Sequence, residues 1–236
     1  ANQSGTSIFD PVVCELVYRW FCPPSGQVLD PFAGGSVRGI VAAIIGRQYW
    51  GCDLRPEQVD ANQQQADAIC NGIVPQWICG DALDVLADAP MSDLVFSCPP
   101  YGDLERYSDD PRDLSTMEYH TFIAAYKRII RRCYERLNNN RFACFVVGEF
   151  RDGKGRYRNF VGDTVSAFQQ AGFDYYNEAI LVTSCGSLPI RINGQFTASR
   201  KLGKTHQNFL IFVKGDPFAA AKDITASAAG PEGGAG

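Results

Sequence analysis

The sequence has little of several patterns that would mark a common class of protein. It contains only 2 histidines, and its 9 cysteines are scattered without a CxxC pair, so we expect no zinc site or other metal site. An odd number of cysteines, most of them inside apolar runs, indicates a reduced intracellular protein. No run approaches the roughly 18 apolar residues of a membrane helix, and no basic-then-apolar leader opens the chain. We therefore expect neither a membrane span nor a secretory signal.

An overall positive charge is also missing. The formal net charge is −4 and the pI is about 5.2, so a polyanionic partner would have to meet a local basic patch. The 236 residues, 45% hydrophobic and 12% aromatic, suffice for one domain with a sizeable core. We place this domain at residues 1–216. The Ala- and Gly-rich segment 217–236 is predicted to be a flexible tail, because this composition buries little apolar surface.

Branched and aromatic residues form seven strand-like runs, most of them separated by segments with helical spacing. The strands are predicted at 27–30, 49–52, 76–79, 93–97, 142–148, 178–183 and 207–213. The helices are predicted at 10–21, 37–46, 56–70, 118–137 and 161–171. This alternation predicts an α/β fold with a covered, mainly parallel sheet. Only a polar loop is predicted over 184–206, so the last two strands should form an antiparallel hairpin.

Small and acidic residues follow the first three predicted strands. The first strand runs into Asp30-Pro31-Phe32-Ala33-Gly34-Gly35-Ser36 and then directly into a helix, which is typical of a turn that a nucleotide approaches closely. Asp53 ends the second strand, where a carboxylate can accept hydrogen bonds from both ribose hydroxyls. Asp81 follows the third strand, where an acid can accept a hydrogen bond from an adenine amino group.

Two other interpretations of these turns are weaker. Capping acids in ordinary α/β turns would explain each feature singly, but acids at three successive strand ends favour a binding site. A dinucleotide oxidoreductase would carry G-x-G-x-x-G, whereas Asp30 stands where the phosphate would lie and would repel it. That charge favours a cofactor with a cationic amino group and no phosphate, such as S-adenosylmethionine.

The run Ser97-Cys98-Pro99-Pro100-Tyr101 follows the fourth strand and suits chemistry at a base amino group. That nitrogen is a poor nucleophile because its lone pair is delocalised into the ring, so two acceptors must hold its protons while it pyramidalises. Cys98 and the Pro99 carbonyl are the candidates, on a turn that two prolines make rigid. The Tyr101 ring could stack on a base that has left the double helix. A rigid loop would explain Pro-Pro-Tyr alone. However, this run follows the fourth strand just as the acids follow the first three, which favours a functional site.

Together, VLDPFAGGSVRGI, YWGCD, CGDA and FSCPPY resemble the amino-group DNA methyltransferases, which make N6-methyladenine or N4-methylcytosine. The likeness covers residues 5–215 and implies a Rossmann-like, class I methyltransferase fold. It also implies direct transfer of a methyl group from S-adenosylmethionine to a flipped base of duplex DNA. The cofactor contacts that it implies are Thr6, Ser7, Phe9, Asp30, Phe32, Gly34, Gly35, Ser36, Asp53, Asp81 and Ala82.

Two positions depart from the family pattern. Ser36 replaces the final glycine of the cofactor motif, with Gly35 beside it to adopt an unusual backbone angle. Cys98 replaces the usual Asp, Asn or Ser, and a thiol is a weak acceptor. Its shape resembles serine, which favours cytosine N4, whereas the larger number of adenine enzymes narrowly favours adenine N6. A nucleophilic Cys98 is disfavoured because in carbon-5 methyltransferases the cysteine follows the proline. An inactive descendant of this family, which binds without catalysing methyl transfer, stays an open alternative.

Segment 184–206 is a local basic patch with no acid, predicted to bind DNA phosphates rather than to be a solvated loop. Its cationic candidates are Arg191, Arg200, Lys201, Lys204 and His206. A second basic cluster follows the fifth strand, and DNA contact and simple exposure are equally open for it. This cluster consists of Arg151, Lys154, Arg156 and Arg158. The acidic segment 102–118 is predicted to be a lid or a base-pocket wall.

The chain leaves no room for a separate recognition segment between these motifs. We expect short or relaxed sequence specificity, or recognition by another domain or by a second copy of the chain. The resemblance to compact phage and prophage enzymes implies protection of DNA from restriction, in the cytoplasm of a bacterial or phage-infected cell. Methyltransferases of RNA guanine N2 or of protein glutamine stay open, since they share a Pro-Pro-Tyr turn. A non-catalytic nucleic-acid-binding module would need the basic segment but neither Asp53 nor Asp81.

Overall fold

The computed structural model describes residues 9–101, 110–183, 186 and 188–228. Seven strands form one sheet in the order β3-β2-β1-β4-β5-β7-β6. They are β1 Gln27–Asp30, β2 Gln48–Asp53, β3 Gln76–Cys79, β4 Ser92–Ser97, β5 Leu137–Val147, β6 Asp174–Val182 and β7 His206–Lys214. Strands β1 to β5 pair in parallel, and β7 runs antiparallel to β5 and β6. The predicted α/β fold with a final antiparallel hairpin is confirmed.

Helices cover both faces of the sheet, which is why most strands are apolar on both sides. They are α1 Pro11–Phe21, α2 Val37–Ile44, α3 Pro56–Ile69, α4 Ala82–Val85, α5 Tyr119–Arg136, α6 Phe160–Ala171, α7 Leu188–Ser199 and α8 Pro217–Ala228. Buried residues of α1, α2, α3 and α8 share one core cluster, and those of α4, α5 and α6 share the other. Within the described ranges, no helix combines the length and apolar character needed to cross a membrane.

Residues 217–228 and 188–199 form the two longest helices that were not predicted. Residues 217–228, predicted to be tail, form α8, which buries Ala220 and Ile224 and joins the sheet through an Arg141–Asp223 ion pair of 2.9 Å. Alanine is the best helix former, and its small side chain permits close packing. Residues 188–199, predicted to be loop, form α7, whose Ile190 is 83% exposed. Without an apolar stripe facing the core, α7 gave no periodic signal.

The topology places the candidate residues at one edge of the sheet. Asp30, Asp53 and Ser97 are the last residues of β1, β2 and β4, and Asp81 lies two residues beyond β3. Parallel neighbours end at the same edge, and β1 lies between β2 and β4, where the chain reverses the direction in which strands are added. Ligands of α/β proteins bind outside the carboxyl ends of the strands at this switch point.

Candidate active site

Asp30 is completely buried at the end of β1 and accepts four hydrogen bonds. Its Oδ1 accepts from the Phe32 amide at 3.1 Å and from the Ser97 hydroxyl at 2.5 Å. Its Oδ2 accepts from Arg38 Nε at 2.6 Å and from the Tyr49 hydroxyl at 2.7 Å. The carboxylate thus ties the turn after β1 to the end of β4.

Arg38 neutralises this carboxylate and holds the turn. It lies in the first part of α2, and its Nη2 donates to the carbonyls of Phe32 and Ala33 at 2.6 and 2.9 Å. Burial alone would lower the pKa of Arg38, but the Asp30 carboxylate outweighs burial and raises that pKa above its ordinary value. The guanidinium therefore stays charged.

The predicted contact between Asp30 and a cationic amino group of a cofactor stays a prediction, and the structure shows that the carboxylate already has protein partners. The carboxylate has no exposed surface and already accepts four donors. Its charge is also paired with Arg38, so the predicted repulsion of a pyrophosphate loses its basis. Asp30 instead organises the turn on which a ligand would rest.

The glycine turn leaves open space on its outer side. Gly34 has φ +51°, and a Cβ added at Gly34 or at Gly35 would meet no atom within 4 Å. The Asp53 carboxylate lies beside this space, because its Oδ2 accepts from the Gly34 amide at 3.1 Å. Burial raises the pKa of Asp53, partly offset by hydrogen bonds from the amides of Arg55 and Gly34. Asp53 Oδ1 lies 3.6 Å from Arg55 Nε, and 14% of the Asp53 side chain is exposed, so part of this carboxylate faces solvent.

Amide side chains of α3 support the turn from behind, although the predicted site did not include them. Asn62 is almost fully buried and donates to the Gly34 carbonyl at 2.7 Å. The Ser36 hydroxyl, also buried, donates to Gln65. The signal available in the sequence was the amide-rich run at 62–65 on the helix after Asp53. Ser36 therefore has a role in holding α2 against α3.

Asp81 stands beside Asp53 at the neighbouring strand end. The Gly80 amide donates to the Asp53 carbonyl at 3.0 Å, which brings the two acids to adjacent positions along the edge. Asp81 caps α4 through a 2.9 Å hydrogen bond from the Leu83 amide and is partly exposed, while Ala82 is buried. The acids after β2 and β3 thus follow neighbouring strand ends.

The Cys98–Tyr101 turn leaves β4 directly beside the Asp30 network. Cys98 Sγ lies 3.9 Å from the Tyr101 hydroxyl, which also accepts from Gln207 Nε2 of β7 at 2.5 Å. Pro99 is buried, whereas Cys98, Pro100 and Tyr101 are partly exposed. Gln207 comes from a distant part of the chain, and no local motif marks it.

Aromatic contacts set the orientation of Tyr101. Its ring packs edge-on against Phe150 and Phe160, with centroid distances of 6.3 and 6.2 Å. Edge-to-face contacts with buried rings hold a ring in one orientation. The arrangement suits the predicted role as a stacking platform.

The two predicted aromatic cofactor contacts have different surroundings. Phe32 packs into the core, with its ring stacked on Tyr126 at 5.9 Å. Phe9 covers the buried ion pair, with the Arg38 guanidinium 5.1 Å from its ring centroid and Phe96 at 5.7 Å. Thr6 and Ser7 lie outside the described residues.

The predicted DNA-binding cations lie along α7 and the approach to β7. Arg200 follows α7 and stacks on Phe196 at 5.2 Å, and Lys204 Nζ donates to Asn208 at 3.0 Å. His206 begins β7 opposite Val182. Lys201 reaches the turn at Gly155. Arg191 lies on α7, and its side chain is outside the described part of the structure.

Among the described residues, no group of three His, Cys, Asp or Glu side chains could hold a metal ion. Five cysteines are buried core residues: Cys14, Cys22, Cys52, Cys133 and Cys144. Burial raises the pKa of Cys14 and of Cys22 to about 12. These thiols stay protonated and serve packing.

No protein-family model matches the chain. Precorrin 8W decarboxylase from Methanobacterium thermoautotrophicum is 13% identical, with a TM-score of 0.59 over 89% of this chain and 94% of its own. The structure of TrmN from Thermus thermophilus is 14% identical with a TM-score of 0.58 over 89% of this chain, and this chain covers only about half, 51%, of TrmN. Magnesium protoporphyrin IX methyltransferase from Synechocystis PCC 6803, solved with bound SAH, is 13% identical with a TM-score of 0.56 over 86% of this chain and 80% of its own.

The fold is that of the class I S-adenosylmethionine-dependent methyltransferases. The solved structures with TM-scores above 0.5 are 12 to 16% identical to this chain. Such a likeness shows a shared backbone fold but not a shared substrate. What this chain binds therefore depends on its own residues.

Proposed function

We propose that this protein is an S-adenosylmethionine-dependent DNA methyltransferase that acts on the exocyclic amino group of a flipped base, with adenine N6 preferred over cytosine N4. The observation that carries the proposal is the Ser97–Asp30 hydrogen bond of 2.5 Å. It fixes the start of the Cys98–Tyr101 turn against the turn that leads to Gly34. A base-binding turn and a cofactor-binding turn are thereby held on adjacent strands.

The residues present fit the cofactor. The open space beside Gly34 and Gly35 admits a ligand close to the backbone, and the partly exposed Asp53 and Asp81 supply carboxylates for ribose hydroxyls and an adenine amino group. Ser36, Asn62 and Arg38 hold the turn from behind. When bound, S-adenosylmethionine supplies a methyl group on a positively charged sulfur.

On the base side, Tyr101 stacks on the flipped base while the Pro99 carbonyl and Cys98 accept the amino protons. The Pro99 carbonyl and Cys98 would hold the amino nitrogen toward the methyl carbon. As the nitrogen–carbon bond forms and the carbon–sulfur bond breaks, the sulfur would keep the electron pair as a neutral thioether, and one amino proton would pass to water. Holding the nitrogen in line with the methyl group is the main contribution of the turn. Because the nitrogen attacks directly, no covalent enzyme intermediate forms.

The cations of the 200–206 segment lead directly into the strand that contacts this turn. Gln207, which binds the Tyr101 hydroxyl, directly follows His206. Phosphate contacts from Arg200, Lys201 and Lys204 would supply affinity that does not depend on base sequence. This favours a nucleic-acid substrate over a small molecule or a protein glutamine.

The test is nucleoside mass spectrometry of unmethylated duplex DNA after incubation with the protein and S-adenosylmethionine. New N6-methyladenine or N4-methylcytosine is the expected result and also identifies the base. A parallel incubation with RNA and with a glutamine-containing peptide tests the alternative substrates. Methylation of either one without methylation of DNA would overturn the DNA assignment.

A further inference from the structure

The second basic cluster forms a hydrogen-bonded hairpin, residues 150–158, which we call the basic hairpin. The Arg158 amide donates to the Phe150 carbonyl at 3.0 Å, and the Asp152 amide donates to the Arg156 carbonyl at 2.8 Å. Arg151 and Tyr157 form an antiparallel bridge across it. The side chains of the cluster are therefore presented on a defined frame.

The basic hairpin begins beside the predicted base platform. Phe150, its first residue, packs edge-on against Tyr101 with ring centroids 6.3 Å apart and against Phe160 at 5.5 Å. Arg151 directly follows Phe150. A strand whose target base stacks on Tyr101 would thus carry its neighbouring nucleotide onto the basic hairpin.

The acids near the basic hairpin are occupied by backbone amides. Asp152 Oδ1 accepts from the amides of Lys154 and Arg156 at 2.9 and 2.8 Å. Glu149 accepts from the first two amides of α6 at 3.1 and 3.0 Å. Lys154 and Arg156 are exposed, so the outer surface of the basic hairpin is cationic.

An exposed aromatic ring lies in the middle of this cationic surface. Tyr157 is 48% exposed, and the Arg151 guanidinium stacks on its ring at 3.9 Å from the centroid. Arg151 is itself held by a 2.9 Å hydrogen bond to the Gly155 carbonyl. Exposed rings paired with arginine in a basic surface are typical stacking platforms for unpaired bases.

Lys201 joins the basic hairpin to the predicted DNA-binding segment. A Cβ built at Gly155 would overlap the Lys201 amino group, so the amino group lies directly against the hairpin turn. The two basic regions, distant in sequence, therefore meet at Lys201 and Gly155.

We propose that Tyr157 and Arg151 form a stacking subsite for the nucleotide next to the target base, and that Lys154, Arg156 and Lys201 bind the phosphates of that strand. This inference rests on the proposed function. It also defines the substrate further, because a neighbouring base can stack on Tyr157 only if it too has left the duplex. DNA that is locally single-stranded should therefore bind more tightly than an intact duplex.

The test measures the Kd of the full chain for a fluorescein-labelled single-stranded DNA by anisotropy at several salt concentrations. Tyr157→Ala should weaken binding about tenfold through loss of one base-stacking contact, while Tyr157→Phe, which keeps the ring, should bind as the wild type does. Lys154→Ala and Arg156→Ala should each lower the slope of log K against log salt by about 1. Lys222→Ala is the matched control, since α8 contacts the opposite end of β5, and it should change neither quantity.

Wild-type affinity in Tyr157→Ala would overturn the subsite, as would equal loss in Tyr157→Phe. Methyl transfer by the wild type, measured on the same DNA, separates the two proposals. If the wild type methylates DNA and Tyr157→Ala binds normally, only the subsite is wrong. If the wild type methylates no nucleic acid, the proposed function fails. Tighter binding of an RNA of the same sequence, with the same dependence on Tyr157, would keep the subsite and overturn the choice of DNA.

Discussion

The two halves of the sheet edge are built in contrasting ways. Around β1, β2 and β3, polar side chains bind the backbone of the glycine turn, and the central charge pair of Asp30 and Arg38 is buried. Around β4, β5 and β7, rings pack on one another, and the charged groups of the basic hairpin point outward. One half is fixed by hydrogen bonds and the other by aromatic packing.

This contrast matches what each half is proposed to bind. A small cofactor needs a turn held in one shape, because its contacts are short and directional. A nucleic-acid strand needs exposed rings and cations that tolerate different sequences. The halves meet at Ser97, whose hydroxyl joins β4 to Asp30. Substitutions should therefore affect stability, turnover and cofactor affinity separately, according to the half in which they lie.

The largest expected effect is on stability, at the centre of the cofactor half. Arg38→Met leaves the buried Asp30 carboxylate without its cation and should lower the free energy of unfolding by about 3–5 kcal/mol. Urea unfolding followed by circular dichroism would measure it. The matched control is Arg19→Met, which removes an exposed ion pair with Glu15 and should cost less than about 1 kcal/mol. Equal losses in the two variants would show that the buried network has no special role.

The next effect belongs to the substrate half and concerns turnover. Tyr101→Ala should lower kcat/KM about a hundredfold, because the base loses the ring that positions it, while the Kd for S-adenosylmethionine stays unchanged. Initial rates of methyl transfer and calorimetric titration with S-adenosylmethionine would measure the two quantities. Tyr101→Phe keeps the ring but loses the hydrogen bond from Gln207, so its loss should be smaller. Turnover at the wild-type level in Tyr101→Ala would contradict the stacking role.

Asp53→Ala tests the cofactor half without touching the substrate half. The Kd for S-adenosylmethionine should rise about 10- to 100-fold, the size expected for losing hydrogen bonds to a charged acceptor. DNA affinity should not change. Calorimetry with the cofactor and anisotropy with DNA distinguish the two. An unchanged cofactor Kd would remove Asp53 from the site.

The smallest expected effect is at Cys98, the residue that follows Ser97 in the substrate half. Cys98→Ser replaces a weak acceptor by a stronger one of similar shape, so methyl transfer should stay within a few-fold of the wild-type rate or rise. The measurement is the initial rate with DNA at saturating S-adenosylmethionine. Complete loss of activity would instead identify Cys98 as a nucleophile.

Much of the fold was predictable because the apolar pattern is regular. The five predicted helices and seven predicted strands are present; β1 and β3 have the predicted bounds, and the other elements have shifted ends. Helices α7 and α8 were not predicted. The α7 sequence has no apolar stripe, and the α8 sequence has the alanine-rich composition of a flexible tail. Alanine-rich residues 217–228 pack only because β5 and α1 offer a surface for Ala220 and Ile224.

The sequence by itself determined which residue types end each strand, and so the acids, the glycines and the Pro-Pro-Tyr turn of the candidate site. It could not separate Asp30 from Asp53, since both are aspartates at strand ends. Only the tertiary structure decided that Arg38 and Tyr49 bury Asp30 while Asp53 keeps part of its surface. It also brought Gln207 to Tyr101 and Lys201 to Gly155. The physical reason is that burial and pairing depend on neighbours that are distant along the chain, whereas strand ends follow from local periodicity.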